Sequence, residues 1–152
     1  MNTLEISAEL AEEIREHGAR NYPHECCGAL LGRESAANNS WELVRQILGL
    51  SPLVNRREDS PRNRFSVTAE DVREAEKAAR LQGLEILGWY HSHPDQPARP
   101  SEYDREHAWP WYSYVIVSVN AGEPAELTSW RLNDDRAQFS PEGIKIGQRA
   151  AA

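Results

Sequence analysis

Two histidines separated by one residue, His91 and His93 in the run GWYHSHP, are the first sign of chemistry in this sequence. Alternate side chains of a strand share a face, so both imidazoles would stand together where the chain leaves its sheet. Ten residues follow, stiffened by Pro94, Pro97 and Pro100, and then comes Asp104. Two neutral imidazoles and a carboxylate, with a fourth position left to water, make a catalytic zinc set that brings the water's pKa to about 7. Such a set also needs a proton acceptor outside the ligands. Glu25, in YPHECCGALLG, is the candidate, with His24 and Cys26 beside it as rival polar groups. Each residue also has a plainer reading: a His pair exposed at a strand end, a solvated loop glutamate, and a capping box formed by Ser101 and Asp104.

Several elements must position these residues. Ser7 can cap a helix running to about Arg20, with Leu10, Ala11 and Ile14 on one face. CCGALLG reads as a short buried strand, RESAANNS as a polar turn and WELVRQIL as a second strand. Ser51 to Arg64 is the longest loop and reads as a binding loop, with Arg56, Arg57, Arg62 and Arg64 diluted by Glu58 and Asp59. Thr68 and Asp71 predict the start of a second helix, which stops at Gly83. LEILGWYHSH is apolar on both faces and is expected to be a central strand, with Trp89 and Leu87 continuing the histidine face inward. A third helix starts at Ser101 and ends before Pro110, followed by strands YSYVIVSV and ELTSWRL joined through Gly122 and Pro124. Trp109, Trp111 and Tyr112 read as core or strand-edge aromatics, one of which could line a groove, and His107 as solvent-facing. The order gives a mixed α/β layer. The domain is placed at residues 1–140 and a mobile tail at 141–152, because that tail has little to bury.

Composition narrows the function. The 152 residues fit one domain, and a net charge of −7 argues against a general nucleic-acid binder. The only two cysteines, Cys26 and Cys27, are adjacent and cannot build a disulfide framework, which suggests a reducing, cytoplasmic setting. Buried free cysteine acting as a small hydrophobe is the plainer account of both. No secretory signal is visible at the N-terminus, and YVIVSV is too short to span a bilayer, so no membrane is expected.

Taken together, Glu25 ahead of CCGALLG, then HSHP, then Ser101 and Asp104 resemble the JAMM (MPN+) metalloproteases. That family's signature is Glu, a long gap, His-x-His, ten residues and Asp, with Ser three before the Asp, and all five positions match. PHECCG after a first helix, Asn55 in a long loop before RFSV, and GWYHSHP entering the turn are similar to the short prokaryotic members. The resemblance covers roughly residues 5 to 132. It implies an α/β (α+β) fold of JAMM/MPN type, a single domain with a curved mixed β-sheet flanked by helices, like that of cytidine deaminases. It further implies one zinc ion (Zn2+) per chain held by His91, His93 and Asp104. Glu25 would take the proton of the metal-activated water and pass it to the leaving amine. Ser101 would donate its hydroxyl to the oxyanion, and Asn55 would be a substrate contact. The implied substrate is a ubiquitin-like or sulfur-carrier protein, cut after its C-terminal Gly-Gly. The oligomeric state is left open.

Rival motifs fit less well. HSHPD matches the opening of a metallo-β-lactamase-type site, which needs a histidine where Gln96 stands. A two-His, one-carboxylate Fe(II) oxygenase usually has its carboxylate two residues after the first His. A DNA-linked relative with His-x-His-Pro conflicts with the acidic charge. The remaining alternative is a non-catalytic MPN-fold scaffold or interaction module, which would normally lose ligands that this chain keeps.

Overall fold

The computed structural model describes residues 2–36, 42–54 and 68–147. Among the described residues, seven strands and three helices follow in the order β1 (Thr3–Ile6), α1 (Ala8–Asn21), β2 (Cys27–Ala36), β3 (Leu43–Leu53), α2 (Ala69–Leu81), β4 (Glu85–Pro94), α3 (Glu102–His107), β5 (Ser113–Asn120), β6 (Glu123–Leu132) and β7 (Phe139–Ile146). They form one mixed sheet in the order β1-β3-β2-β4-β5-β6-β7, curved until β1 meets β7 and the barrel closes. Closure removes the open edges that would otherwise invite pairing with other chains.

Local sequence explains the helices. The Ser7 hydroxyl accepts from the Leu10 N–H at 3.1 Å, capping α1. That helix turns Ala11 and Ile14 into the main core, against Leu4, Leu30, Tyr90 and Val117. Thr68 and Asp71 exchange backbone N–H bonds in a full capping box, and α2 covers the opposite face with Ala75 and Ala79 on Ala29 and Leu31. Inside the main core, His17 and Tyr90 share a hydrogen bond of 2.8 Å. The Tyr90 ring lies over its cross-strand partner Gly28, where a Cβ would fall within 2.2 Å of it.

β4 is central as its sequence predicts, antiparallel to β2 and parallel to β5. Leu87, however, does not continue the histidine face. The β2–β4 register shifts between Leu30 opposite Gly88 and Leu31 opposite Ile86, so Leu87 bulges and the alternation is reset. Leu87 joins Tyr90 in the main core, while Ile86 and Trp89 pack towards α2.

Two strands escape the sequence reading. β1 is only four residues long, too short for its alternation to register. β7 replaces the start of the expected mobile tail at 141–152, and the domain boundary at 140 is corrected with it: residues 139–146 pair with both β6 and β1. Pro141 and Gly143 break the strand pattern in sequence. Pairing on two sides supplies the stability that propensity lacks, and Glu142 is buried, accepting from Ser129 Oγ at 2.7 Å and Arg131 Nε at 2.6 Å. β2 also extends through RESA, which reads as a turn in sequence. Asn55 and the arginines at 56, 57, 62 and 64 lie outside the described residues.

Candidate active site

The end of β4 carries His91 and His93, both buried, at 1% and 4% exposure. The neighbouring strand fixes what faces them. Cys27 lies opposite His91, and the Cys26 N–H donates to Ser92 Oγ at 2.8 Å while the Ser92 N–H donates to the Cys26 carbonyl at 3.2 Å. This clamp holds the approach to β2 against the histidine pair and brings Glu25, 2% exposed, to the same place. Glu25, His91 and His93 each offer a ligand atom within 4.8 Å of the others.

The connection from β4 to α3 is fastened at several points. Asp95 adopts φ 56°, a left-handed conformation that suits Asp. It receives Tyr22 Oη and the Ala121 N–H, each at 2.7 Å. Thr128 Oγ1 donates to the Ala98 carbonyl at 2.6 Å. The turn therefore delivers α3 in a set place, and Ser101 caps it: the Asp104 N–H donates to Ser101 Oγ at 3.1 Å and the Ser101 N–H to Asp104 Oδ2 at 2.8 Å. The capping reading is thus correct for this pair, and it aims the same carboxylate at the histidines.

Asp104 Oδ2 stands 3.2 Å from His91 Nε2 and 3.1 Å from His93 Nε2, and the two Nε2 atoms are 3.1 Å apart. His93 Nδ1–H donates to the Pro97 carbonyl at 2.9 Å, a bond that leaves its Nε2 lone pair directed at the cluster. Electron-pair donors at this separation repel one another unless a positive charge lies among them. Ligands about 2.0 Å from one tetrahedral ion sit roughly 3.3 Å apart. The donor set therefore fits a single divalent ion, with two nitrogens and one oxygen as ligands. Burial opposes ionisation of Asp104, but the two imidazoles outweigh it and hold the carboxyl below the usual carboxylate range. For Glu25, burial first and then the charge of Asp104 push the carboxyl up to about 9.

The rival groups stand apart. His24 is exposed. Cys26 faces the main core, and only Cys27 shares the histidine face; burial pushes both thiols up to about 12, so neither offers a thiolate near neutral pH.

The groove-lining alternative for the Trp109–Tyr112 aromatics is realised in a cleft of about 660 Å3 beside the cluster, whose place next to His91 and Asp104 the residue pattern did not reveal. Trp89, Tyr103, His107, Trp109, Tyr112 and Tyr114 are among its other lining residues, together with Val72 of α2. Trp109 and Trp111 are 63% and 47% exposed rather than core. The available signals were Tyr103 and His107 at helical spacing and the aromatic run WPWY.

A family model described as prokaryotic homologs of the JAB domain matches residues 7–133. A desampylase of Haloferax volcanii is 32% identical over 120 residues, covering 76% of this chain and 80% of its own. A probable TtuB-protein conjugate cleaving protease of Thermus thermophilus is 34% identical over 117 residues, with 77% and 71% covered. A CysO-cysteine peptidase of Mycobacterium tuberculosis is 28% identical over 142 residues, with 93% and 90% covered. A solution structure of a Salinibacter ruber protein aligns at TM-score 0.70 and 41% identity, over 97% of this chain and 94% of that one. A JAB1/MPN domain protein of Archaeoglobus fulgidus, 18% identical over 95% and 97% of the chains, shares the fold at TM-score 0.55.

Proposed function

The chain belongs to the family of prokaryotic homologs of the JAB domain, and from that premise we propose that it is a zinc-dependent hydrolase of the JAMM type. It cleaves the peptide or isopeptide bond after the C-terminal Gly-Gly of a ubiquitin-like or sulfur-carrier protein. Support for a peptidase acting on such conjugates comes from the relatives, named as a desampylase, a TtuB-conjugate protease and a CysO-cysteine peptidase. The observation that carries the chemistry is the convergence of His91, His93 and Asp104 at 3.1–3.2 Å with Glu25 beside them. Two free, buried cysteines suit a cytoplasmic setting. Among the described residues no helix is long and apolar enough to cross a membrane.

His91, His93 and Asp104 would hold the zinc ion. When bound there, it supplies Lewis-acid polarisation and a water of lowered pKa. Glu25 takes the proton of the attacking water and gives it to the leaving nitrogen. Its burial keeps bulk water from competing for that proton. Ser101 Oγ already accepts from the Asp104 N–H, so its own hydrogen remains to be donated to the oxyanion. The His93 bond to Pro97 keeps that imidazole in one tautomer throughout.

The test compares the parent and Glu25→Gln proteins, both zinc-loaded with metal content measured, on fusions joined through Gly-Gly. The parent is expected to cleave them, a zinc chelator to stop it, and the variant to be slower by about 100-fold or more. Equal turnover by the two proteins would sink the mechanism. Absence of cleavage with zinc bound would favour the scaffold alternative.

A further inference from the structure

We propose that the aromatic cleft beside Asp104 is a side-chain subsite: it receives a bulky apolar residue of the substrate's acyl segment, shortly before the scissile carbonyl. This rests on the hydrolase reading above and adds to it a basis for choosing among carrier proteins.

Continuity comes first. His91 and Asp104 form part of the cleft wall, so a chain lying in it runs directly to the reacting carbonyl. Direction follows from Glu25, which is absent from that wall. The leaving nitrogen must approach Glu25 to receive its proton, so the leaving group occupies Glu25's flank. The cleft then falls to the acyl side.

The walls are built before any substrate arrives. The Trp109 N–H donates to Tyr114 Oη at 2.9 Å, and the Arg136 guanidinium lies 5.2 Å from the centre of the Trp109 ring while donating to the Ala108 carbonyl. Tyr103 and His107 stack at 4.0 Å, and Trp89 meets Tyr112 edge-on at 5.9 Å. An exposed tryptophan held at backbone and ring loses little freedom on binding, which is what a preformed pocket requires. Trp111, at φ 83°, is in a conformation a bulky residue rarely adopts, and this lets Tyr112 turn into the cleft while Trp111 rests on Arg45.

The lining also decides the chemistry of the occupant. Aromatic rings can attract cations, but Arg136 over Trp109 opposes one. The carboxylate of Asp104 is already engaged by the Ser101 N–H and both imidazoles. An apolar or aromatic side chain remains as the best fit.

The test uses synthetic peptides ending in Gly-Gly-carboxylate, with Trp, Leu, Ala or Arg placed either directly before Gly-Gly or one residue further back. Binding to metal-free protein is read from the indole N–H signals of Trp109 and Trp89. At one of the positions, Trp or Leu is expected to bind about tenfold or more tighter than Ala or Arg and to shift both signals. Trp109→Ala, at an exposed position, is expected to fold and to lose most of that preference. Equal affinities, a preference for Arg, or no binding up to millimolar peptide would each overturn the subsite. The same sequences as coumarin amides, with zinc-loaded protein, separate the two claims. Selective binding without any cleavage defeats the hydrolase reading and leaves the subsite standing. Cleavage without side-chain preference does the reverse.

Discussion

At the scale of single residues, two carboxylates lie beside the same histidine pair, and the proposed mechanism gives them different roles. Asp104 touches both Nε2 atoms, and Glu25 offers a carboxylate oxygen within 4.8 Å of the two imidazoles. Asp104→Asn or His93→Ala is therefore expected to lose zinc stoichiometry in metal analysis after dialysis, while Glu25→Gln keeps it and loses turnover. Full zinc in Asp104→Asn would mean that Glu25 is the third ligand. Ser101→Ala removes the acceptor for the Asp104 N–H, costing about 1 kcal/mol in unfolding titrations, and with it the proposed oxyanion donor, so cleavage is expected to slow by about 100-fold or more. A stability loss without a rate loss would reduce Ser101 to a cap. His91, His93, Ser101 and Asp104 stand out as candidates in sequence because their types and spacing are local, whereas Glu25, far upstream, enters through the family resemblance. What sequence leaves open is whether the cap and the ligand are rival readings of Asp104; in the structure the capping carboxylate also faces both imidazoles, so the two readings are compatible.

At the scale of elements, the site depends on how closely β4 approaches its neighbours. Gly88 sits beside the Leu87 bulge, and a Cβ there would fall 2.0 Å from the Ser113 carbonyl oxygen on β5. Backbone cannot swing away as a side chain can. Gly88→Ala is expected to cost about 1–3 kcal/mol in denaturant unfolding. Gly143→Ala on β7 is the matched control, since its nearest neighbours would be at 3.6 Å and the change is expected to be near neutral. Equal effects would show that close strand approach is not what Gly88 provides. The bulge itself could not be read from the sequence, because LEILGWYH is apolar on both faces and alternation leaves no trace in such a run. β7 was missed for the opposite reason: Pro141 and Gly143 disguise a strand that is held by partners distant in sequence.

At the scale of the whole molecule, burial keeps several thiols and phenols in their neutral form. Burial pushes the Cys26, Cys27 and Tyr114 groups up to about 12 and raises Tyr90 further. In the unfolded chain thiols lose their protons near pH 8.5 and phenols near pH 10. Between about pH 9 and 12 the unfolded state therefore binds fewer protons than the folded one, and stability falls as pH rises. Denaturant midpoints at pH 8, 9.5 and 10.5 are expected to decline in that order, and a flat profile would contradict the burial of these groups. Aromatic disulfide reagents should label both thiols quickly in urea and slowly in the native protein. Zinc is expected to raise the melting temperature in proportion to the logarithm of its concentration. Its removal should leave the chain folded, because the main core lies on the α1 side of the sheet and does not include the ligands.

The sequence by itself determined the candidate histidines and Asp104, the helix starts beside them and the mixed α/β class, because caps, alternation and motif spacing act over a few residues. Only the tertiary structure decided the closure of the barrel by β1 and β7, the face taken by Leu87 and the aromatic cleft beside Asp104. Each of those depends on strand register and on contacts between segments far apart in the chain, where local pattern carries no information.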